Sequence, residues 1–398
     1  MTLPELRLKK GEERRLRHGH LWIFSNEVDT AATPLTGFQP GDPVKVTDSR
    51  RQPLGVAYVN PASLIAARLL TRDADAAIDR AFLTRRMETA LRLRQRCFEQ
   101  PYYRLVYGES DGLPGLVVDR YGDALAVQTN TAGMERLQDA IVAVLDQLLA
   151  PRAVVLKNTS SLRRLEGLEE YSRVAHGQLD GPVDILENGA RFRVDLLAGQ
   201  KTGWFYDHRD NRRELAALSK GKRVLDVFSY SGAWGIAAAV AGAKEVVCVD
   251  ASVAALEWVK ENAALNGVAE RVETVTADAF DYLKHAREAR ERFDAVALDP
   301  PALIKRKKDL KSGTEAYHRL NQAALQVLNY EGILASASCS HHLERGALHD
   351  ILRSAARHVD RHLPILRQGG QGVDHPVHPA MPETEYLKFF LCHVTQAL

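Results

Sequence analysis

The chain has 398 residues, 45% of them hydrophobic and 26% charged, with a formal net charge of +2. This is a globular composition, which excludes collagen-like, mucin-like and wholly disordered chains. No run of about 18 apolar residues occurs, so no membrane partner is expected, and at roughly 150 residues per domain the length suits two or three domains.

Residues 1–72 predict a small β-rich domain. Its first residues, Met1 to Glu5, lead into charge rather than an apolar core, so no secretory signal is expected. Short β-type runs at 43–47 and 55–59 are separated by the turn residues Gly41-Asp42 and Asp48-Ser49. This piece carries a charge of +4, with Lys9, Lys10, Arg14, Arg15 and Arg17 close together. Residues 73–187 predict a small central α/β domain with a charge of −4. A helix from Asp73 carries Ile78, Phe82, Leu83, Met87, Ala90, Leu91 and Leu93 at helical spacing. Stretches 116–119 and 124–128 predict a hairpin, 133–149 a helix ended by Pro151, and 153–157 a strand.

From residue 188 onward, strands and helices alternate, and the charge is +2. Strands are predicted at 223–227, 245–249, 271–276, 293–298 and 332–338, with helices at 232–241, 252–265, 279–289 and 314–328. Such alternation predicts βαβ units and a parallel sheet covered on both faces. Ligands of these sheets sit beyond the carboxyl ends of the strands, where the strand order reverses. The chemistry is therefore sought just after each strand.

After the first strand, Asp226 opens a small-residue turn, Phe228-Ser229-Tyr230-Ser231-Gly232, that leads into a helix and can face backbone N–H groups to a ligand. It lacks two of the three glycines of the dinucleotide fingerprint, which argues against a dehydrogenase. After the second strand, Asp250 can accept from both hydroxyls of a ribose. After the third, Asp278 can accept from an adenine amino group beside Ala279 and Phe280. After the fourth comes Asp299-Pro300-Pro301, a stiff extended turn. After the fifth comes Ser338-Cys339-Ser340. Any one of these acids alone would ordinarily be a helix cap, and a lone cysteine a small core residue. All of them in order at one rim point to a site.

The motif series Val224 to Gly232, Val249-Asp250, Ala277-Asp278-Ala279 and Asp299-Pro300-Pro301 resembles that of class I S-adenosylmethionine-dependent methyltransferases. Gly199-Gln200-Lys201-Thr202-Gly203, Asp207-His208-Arg209, Ser338-Cys339-Ser340 and Asp374-His375-Pro376 narrow the resemblance to bacterial large-subunit ribosomal RNA 5-methylcytosine methyltransferases. Two departures are Trp204-Phe205-Tyr206, where a shorter aromatic element is expected, and Trp234. The resemblance implies an α/β fold with three parts: a PUA domain at 1–72, a central α/β domain at 73–187, and a Rossmann-like methyltransferase domain at 188–398. It implies S-adenosylmethionine as cofactor, held by Asp226, Phe228, Ser229, Tyr230, Gly232, Asp250, Asp278, Ala279 and Arg209.

Carbon 5 of cytosine is a poor nucleophile until a thiolate adds to carbon 6. Cys339 is the candidate nucleophile, because it alone of the four cysteines follows a strand of the predicted sheet. Its ionisation calls for nearby positive charge, for which Lys201 is a candidate together with the cofactor sulfonium. Asp299 is the second catalytic candidate, holding the cytosine amino edge or removing a proton. His208 reads as structural. Lys201, Pro300, Lys305, Lys307 and Lys308 are the candidate substrate contacts, the last three forming a basic run just past the Asp299 turn. The N-terminal basic cluster, with Trp22 and Phe24, suits a second RNA contact through charge and stacking. The expected partner is 23S ribosomal RNA, with a homodimer kept in view. The dispersed cysteines and missing CxxC pairs predict a reduced cytoplasmic protein without a metal site. The rival readings are an RNA methyltransferase acting on an exocyclic amino group, weakened by Ala302 after the prolines, and a non-catalytic ribosome assembly factor.

Overall fold

The computed structural model describes residues 3–397, which divide into two compact units. The first comprises residues up to Val183 with Val194–Tyr206 and Val373–Thr384; the second comprises Asp184–Arg193, Asp207–Gly372 and residues from Glu385 onward. Among the described residues no helix is long and apolar enough to cross a membrane, and no cluster of metal-ligating side chains occurs.

Two five-stranded sheets make up the first unit. One is built from Glu5–Arg7, Trp22–Ile23, Asp42–Thr47, Pro53–Val59 and Ala67–Thr71. Alternation in Asp42–Thr47 sends Val44 and Val46 into a core with Leu6, Leu8, Leu16 and Ile23. The other contains Tyr102–Tyr107, Leu116–Tyr121, Ala124–Thr129, Ala153–Asn158 and Tyr171–Gly177. Helices Arg80–Cys97 and Gln138–Leu149 bury Phe82, Leu83, Met87, Ile141, Val144 and Leu145 in its core, which also takes in Tyr58 and Leu70 from the first sheet. A shared core binds the two sheets into one unit, and the buried Arg68–Glu166 ion pair at 2.9 Å adds a polar link.

Three expectations need correction here. The first long helix starts at Arg80, not Asp73, because Asp79 caps it by accepting from Phe82 N at 2.8 Å. The helix expected at 133–149 is two, Ala132–Arg136 and Gln138–Leu149, interrupted at Leu137. The central sheet has two strands beyond those expected, Tyr102–Tyr107 and Tyr171–Gly177; both lie at its edges, and the second is largely half-exposed and lacks an apolar run.

The second unit is a doubly wound sheet. Its strands are β1 (Arg223–Val227), β2 (Glu245–Asp250), β3 (Val272–Thr276), β4 (Phe293–Leu298), β5 (Leu328–Ser338), β6 (Arg361–His362), β7 (Ile365–Gly369) and β8 (Lys388–Gln396). Their order is β3-β2-β1-β4-β5-β8-β6, with β7 also paired to β8. Strands β1 to β5 are parallel, as expected, and β8 runs antiparallel to β5. The helices are α1 (Arg209–Ala217), α2 (Ala233–Val240), α3 (Val253–Leu265), α4 (Ala279–Glu288), α5 (Leu310–Val327) and α6 (Arg345–His358). Strands β1, β2 and β4 are almost wholly buried, so they read as continuous apolar runs. The order reverses between β1 and β4, which places the crevice at the ends of those two strands.

Candidate active site

The turn after β1 is shaped by backbone. Phe228, Tyr230 and Gly232 all have left-handed φ, at 64°, 47° and 81°. Two of them are not glycine, and such strain gathers at functional sites. Three N–H groups of the turn are committed within the protein, Ser229 N to Val249 O at 3.0 Å, Gly232 N to Ser229 O at 2.7 Å and Tyr230 N to Asp250, so its side-chain oxygens are what remain for a ligand. Gly235 has a different role: a Cβ there would stand 2.6 Å from Cys248 Sγ, so only glycine lets α2 lie so close to β2. Gly235 N donates to Asp226 Oδ2 at 2.8 Å. Burial pushes the Asp226 carboxyl up to about 7 against that bond, and the charges of Asp299 and Asp250 add to the rise. Asp226 Oδ1, Ser229 Oγ and Ser231 Oγ are buried with no hydrogen-bond partner among the described residues. Orphaned oxygens of this kind are costly unless a ligand satisfies them. The turn thus fits a ligand that carries hydrogen-bond donors, as the amino and hydroxyl groups of S-adenosylmethionine do.

Asp250 ends β2 and ties the turn to it. Its Oδ2 accepts from Tyr230 N and its Oδ1 from Ser252 N, both at 2.9 Å. Each oxygen keeps a second lone pair for a hydroxyl. Asp278 caps α4, accepting from Phe280 N at 2.8 Å and Asp281 N at 3.3 Å. The ordinary role of an acid after a strand is therefore realised there, with both bonds falling on Oδ1. Ala279 is buried behind it, and Arg319 covers one face of the Phe280 ring at 5.6 Å.

Asp299 follows β4 and is held from two sides. Its Oδ1 lies 3.2 Å from His208 Nε2, and its Oδ2 accepts from Trp234 Nε1 at 3.1 Å. Asn211 donates to His208 Nδ1 at 3.1 Å and to Gly370 O at 2.9 Å, so the hydrogen-bond network assigns the ring proton to Nε2, facing Asp299. Burial alone would raise the Asp299 carboxyl. The adjacent His208 ring and Trp234 outweigh burial and hold it below the usual carboxylate range. The sequence set Trp234 apart as a departure and His208 as structural; both contact the candidate catalytic acid.

Cys339 follows β5 and is half-buried, with Sγ 3.9 Å from Pro300 O. The serines on either side anchor it. Ser338 Oγ and Ser340 Oγ each lie 2.9 Å from Tyr317 OH on α5, and Ile304 N donates to Ser340 Oγ at 3.1 Å. Both flanking side chains are thereby tied to one phenol. Lys388, at the start of β8, pairs in register with Ser338 and donates to Ser340 O at 2.6 Å and Tyr386 O at 2.7 Å. Burial lowers its ammonium to about 8, while the charge of Cys339 acts in the opposite sense. A buried cation thus stands beside the cysteine. Sequence reasoning missed it, although a lysine inside the apolar run Leu387-Lys388-Phe389-Phe390 was the available signal. The other cysteines differ in setting. Burial raises Cys248 well above the thiol range, Asp226 adding to it, and pushes Cys392 up to about 12. Cys97 is exposed in the first unit.

The remaining candidates are placed as follows. Arg209 opens α1, with Nε 3.6 Å from Glu187 Oε2, a carboxylate that also pairs with Arg212 at 2.7 Å. Lys201 belongs to the first unit, its ammonium 4.5 Å from the Phe205 ring centre, whereas Cys339 belongs to the second. Lys305, Lys307 and Lys308 are exposed beyond the buried Pro300. Trp22 is half-buried, its Nε1 donating to Glu109 at 2.8 Å, and Phe24 lies beneath Arg15 at 4.8 Å.

Residues 6–72 match the PUA-like domain family, and residues 143–358 match the family of S-adenosylmethionine-dependent methyltransferases. Over its whole length the chain is similar to proteins named ribosomal RNA large subunit methyltransferase I. The relative from Cronobacter sakazakii is 36% identical over 394 residues, which are 97% of this chain and 98% of that protein. The relative from Photobacterium profundum is 37% identical over 395 residues, with 97% and 98% covered. Among solved structures, SMU.776 in complex with SAH superposes with a TM-score of 0.84 at 23% identity, covering 98% of this chain and 100% of that one. That likeness shows a shared α/β fold, in which the family matches place an N-terminal PUA-like domain and a class I methyltransferase domain. The chain belongs to the ribosomal RNA large subunit methyltransferase I family of S-adenosylmethionine-dependent methyltransferases, and S-adenosylmethionine is its cofactor.

Proposed function

We propose that this protein methylates carbon 5 of a cytosine in 23S ribosomal RNA, in the cytoplasm, through a covalent adduct on Cys339. The observation that carries the reading is the setting of Cys339: half-buried at the end of β5, anchored through both neighbouring serines, and next to the buried ammonium of Lys388. A thiol beside a cation is the kind that ionises near neutrality. The names of the relatives support ribosomal RNA as the substrate class. In this reading residues 1–72 engage RNA, and residues 188–398 carry the chemistry.

Bound S-adenosylmethionine supplies an electrophilic methyl group. Asp226, the Phe228–Gly232 turn and Asp250 orient it through serine hydroxyls and carboxylate oxygens, with Asp278, Ala279 and Arg209 at the margin. The Cys339 thiolate adds to carbon 6 of the cytosine, and the electron pair so displaced makes carbon 5 the nucleophile. After transfer, carbon 5 gives its proton to water, the thiolate leaves carbon 6, and the ring double bond returns. Asp299 accepts from the exocyclic amino group. A carboxylate held below its usual range is a poor proton acceptor, which favours this holding role over proton removal. Pro300 fixes the turn, and Lys305, Lys307, Lys308 and Lys201 serve as phosphate contacts.

The experiment is to map 5-methylcytosine in 23S RNA from cells with and without the protein, then to add purified protein to the unmodified RNA. One cytosine gains the mark in this reading. A methyl group found on an exocyclic nitrogen, or no methyl group at all, overturns it.

A further inference from the structure

The first unit carries a basic groove that none of the roles above uses. On helix Arg80–Cys97, Arg85, Thr89, Arg92 and Arg96 recur at intervals that share one helix face, and all four are exposed. At 1.5 Å per residue this stripe is about 16 Å long. Beside it lies a cleft of about 570 Å³, walled by Arg72, Arg86, Arg92 and Arg96 and floored by Leu70 and Leu93. A smaller cleft of about 270 Å³ shares Thr71, Arg86 and Thr89 with the first and adds Arg85, so the two are lobes of one groove.

Five arginines line this groove against the carboxylates Glu109, Asp111 and Asp73, so its charge is only partly compensated. Asp111 is committed to the buried Arg94 at 2.6 and 2.7 Å, and Glu109 accepts from Trp22 at 2.8 Å. Asp73, in the smaller lobe, accepts from Asp75 N at 3.0 Å. Arg72 donates from Nη2 alone to Leu16 O and Arg17 O, both at 3.1 Å, and Arg86 donates to Leu70 O at 3.2 Å. Among the described residues Arg72, Arg86 and Arg96 make no ion pair, and Arg92 only approaches Glu88 at 3.9 Å. Burial and the neighbouring Arg85 both disfavour the charge on Arg86, which an incoming anion would relieve.

From this arrangement we infer that the groove binds a single-stranded segment of the RNA substrate, with phosphates on the arginine stripe and a base face on the leucine floor. Guanidinium groups suit phosphate through paired N–H donors. An apolar floor inside a basic rim suits a strand whose bases are unstacked. The inference rests on the proposed RNA substrate but not on the chemistry at Cys339.

The test uses the full-length protein and a labelled single-stranded RNA of about 12 nucleotides. Binding is measured across a salt series for wild type, for Arg86→Gln, for the double variant Arg92→Gln/Arg96→Gln, and for Arg164→Gln as a control. The double variant is expected to lower the slope of log Kd against log salt by about 1.4, about 0.7 for each lost phosphate contact. Arg86→Gln is expected to raise Kd about tenfold at low salt, while Arg164→Gln matches wild type. Because Arg92 and Arg96 are exposed, the double variant keeps its melting temperature, so an unchanged slope overturns the inference. Displacement of the RNA by inorganic phosphate at equal concentration also overturns it. If wild type methylates 23S RNA and the slopes are unchanged, the groove alone is refuted. If the slopes change but no methyl group is transferred, the proposed function alone is refuted.

Discussion

His208 Nε2 lies 3.2 Å from Asp299 Oδ1, while the other oxygen of that carboxylate accepts from Trp234. The carboxylate is thereby fixed in direction and kept ionised. Asp299→Asn is expected to lower kcat/KM by about a hundredfold or more, with S-adenosylmethionine affinity within about twofold of wild type. The stability that the ionised Asp299 contributes is present above its unfolded value near 3.9. It is lost as pH falls through the depressed folded value. Thermal melts between about pH 2 and 5 should therefore show a shallower acid limb in the Asn variant.

Asp226 behaves in the opposite sense. Its carboxyl is pushed up to about 7, so the folded protein holds a proton that the unfolded chain releases above about pH 4. Stability of the ligand-free protein falls as pH rises across that window, by up to about 1.4 kcal/mol per pH unit. Asp226→Asn should flatten this dependence and melt higher than wild type at pH 8. Calorimetric or fluorescence melts over a pH series check it; parallel curves for the two proteins would contradict it.

Lys388 holds its buried ammonium on Ser340 O, one residue past Cys339. Lys388→Met keeps the length of the side chain and removes the charge. The expected result is a rise of about one unit in the midpoint of Cys339 alkylation against pH, an approximately tenfold slower reaction at neutral pH. Mass spectrometry of iodoacetamide-treated protein reads it site by site. An unmoved midpoint would remove Lys388 from the account.

Much of this centre was legible in the chain, and what was not has physical causes. Strands β1 and β4 fall at 223–227 and 293–298, as read, because parallel strands buried on both faces are continuous apolar runs. The Asp226, Asp250, Asp299 and Cys339 positions followed from those ends. Helix α5 begins at Leu310, not near Thr314, and its first turn contains Gly313. A Cβ there would stand 2.3 Å from Ile304, so the glycine serves close packing within the helix. Contacts made across long stretches of chain stayed invisible. Lys388 reaches the Ser338–Ser340 segment only because β8 pairs antiparallel with β5, and His208 reaches Asp299 from the start of α1. No local pattern encodes either meeting.

The basic loop gives a prediction separate from the groove on the first unit. Lys307 and Lys308 are exposed just before α5, whereas Arg306 is paired with Asp309 at 3.0 Å. Lys307→Glu/Lys308→Glu should weaken binding to 23S RNA and lower the salt slope by about 1.4 to 1.8 for two lost contacts. Filter binding or anisotropy across a salt series measures it, and an unchanged slope would show that the loop faces only solvent.

The most direct test of the account is to incubate the protein with S-adenosylmethionine and 23S RNA carrying 5-fluorocytosine. Fluorine at carbon 5 cannot leave as a proton does, so the thiolate cannot be expelled after methyl transfer. The account predicts a denaturation-resistant protein–RNA complex, mapped by mass spectrometry to Cys339 and absent from Cys339→Ala. A wild-type protein that methylates unmodified RNA yet forms no such complex, or forms it through another residue, would contradict it.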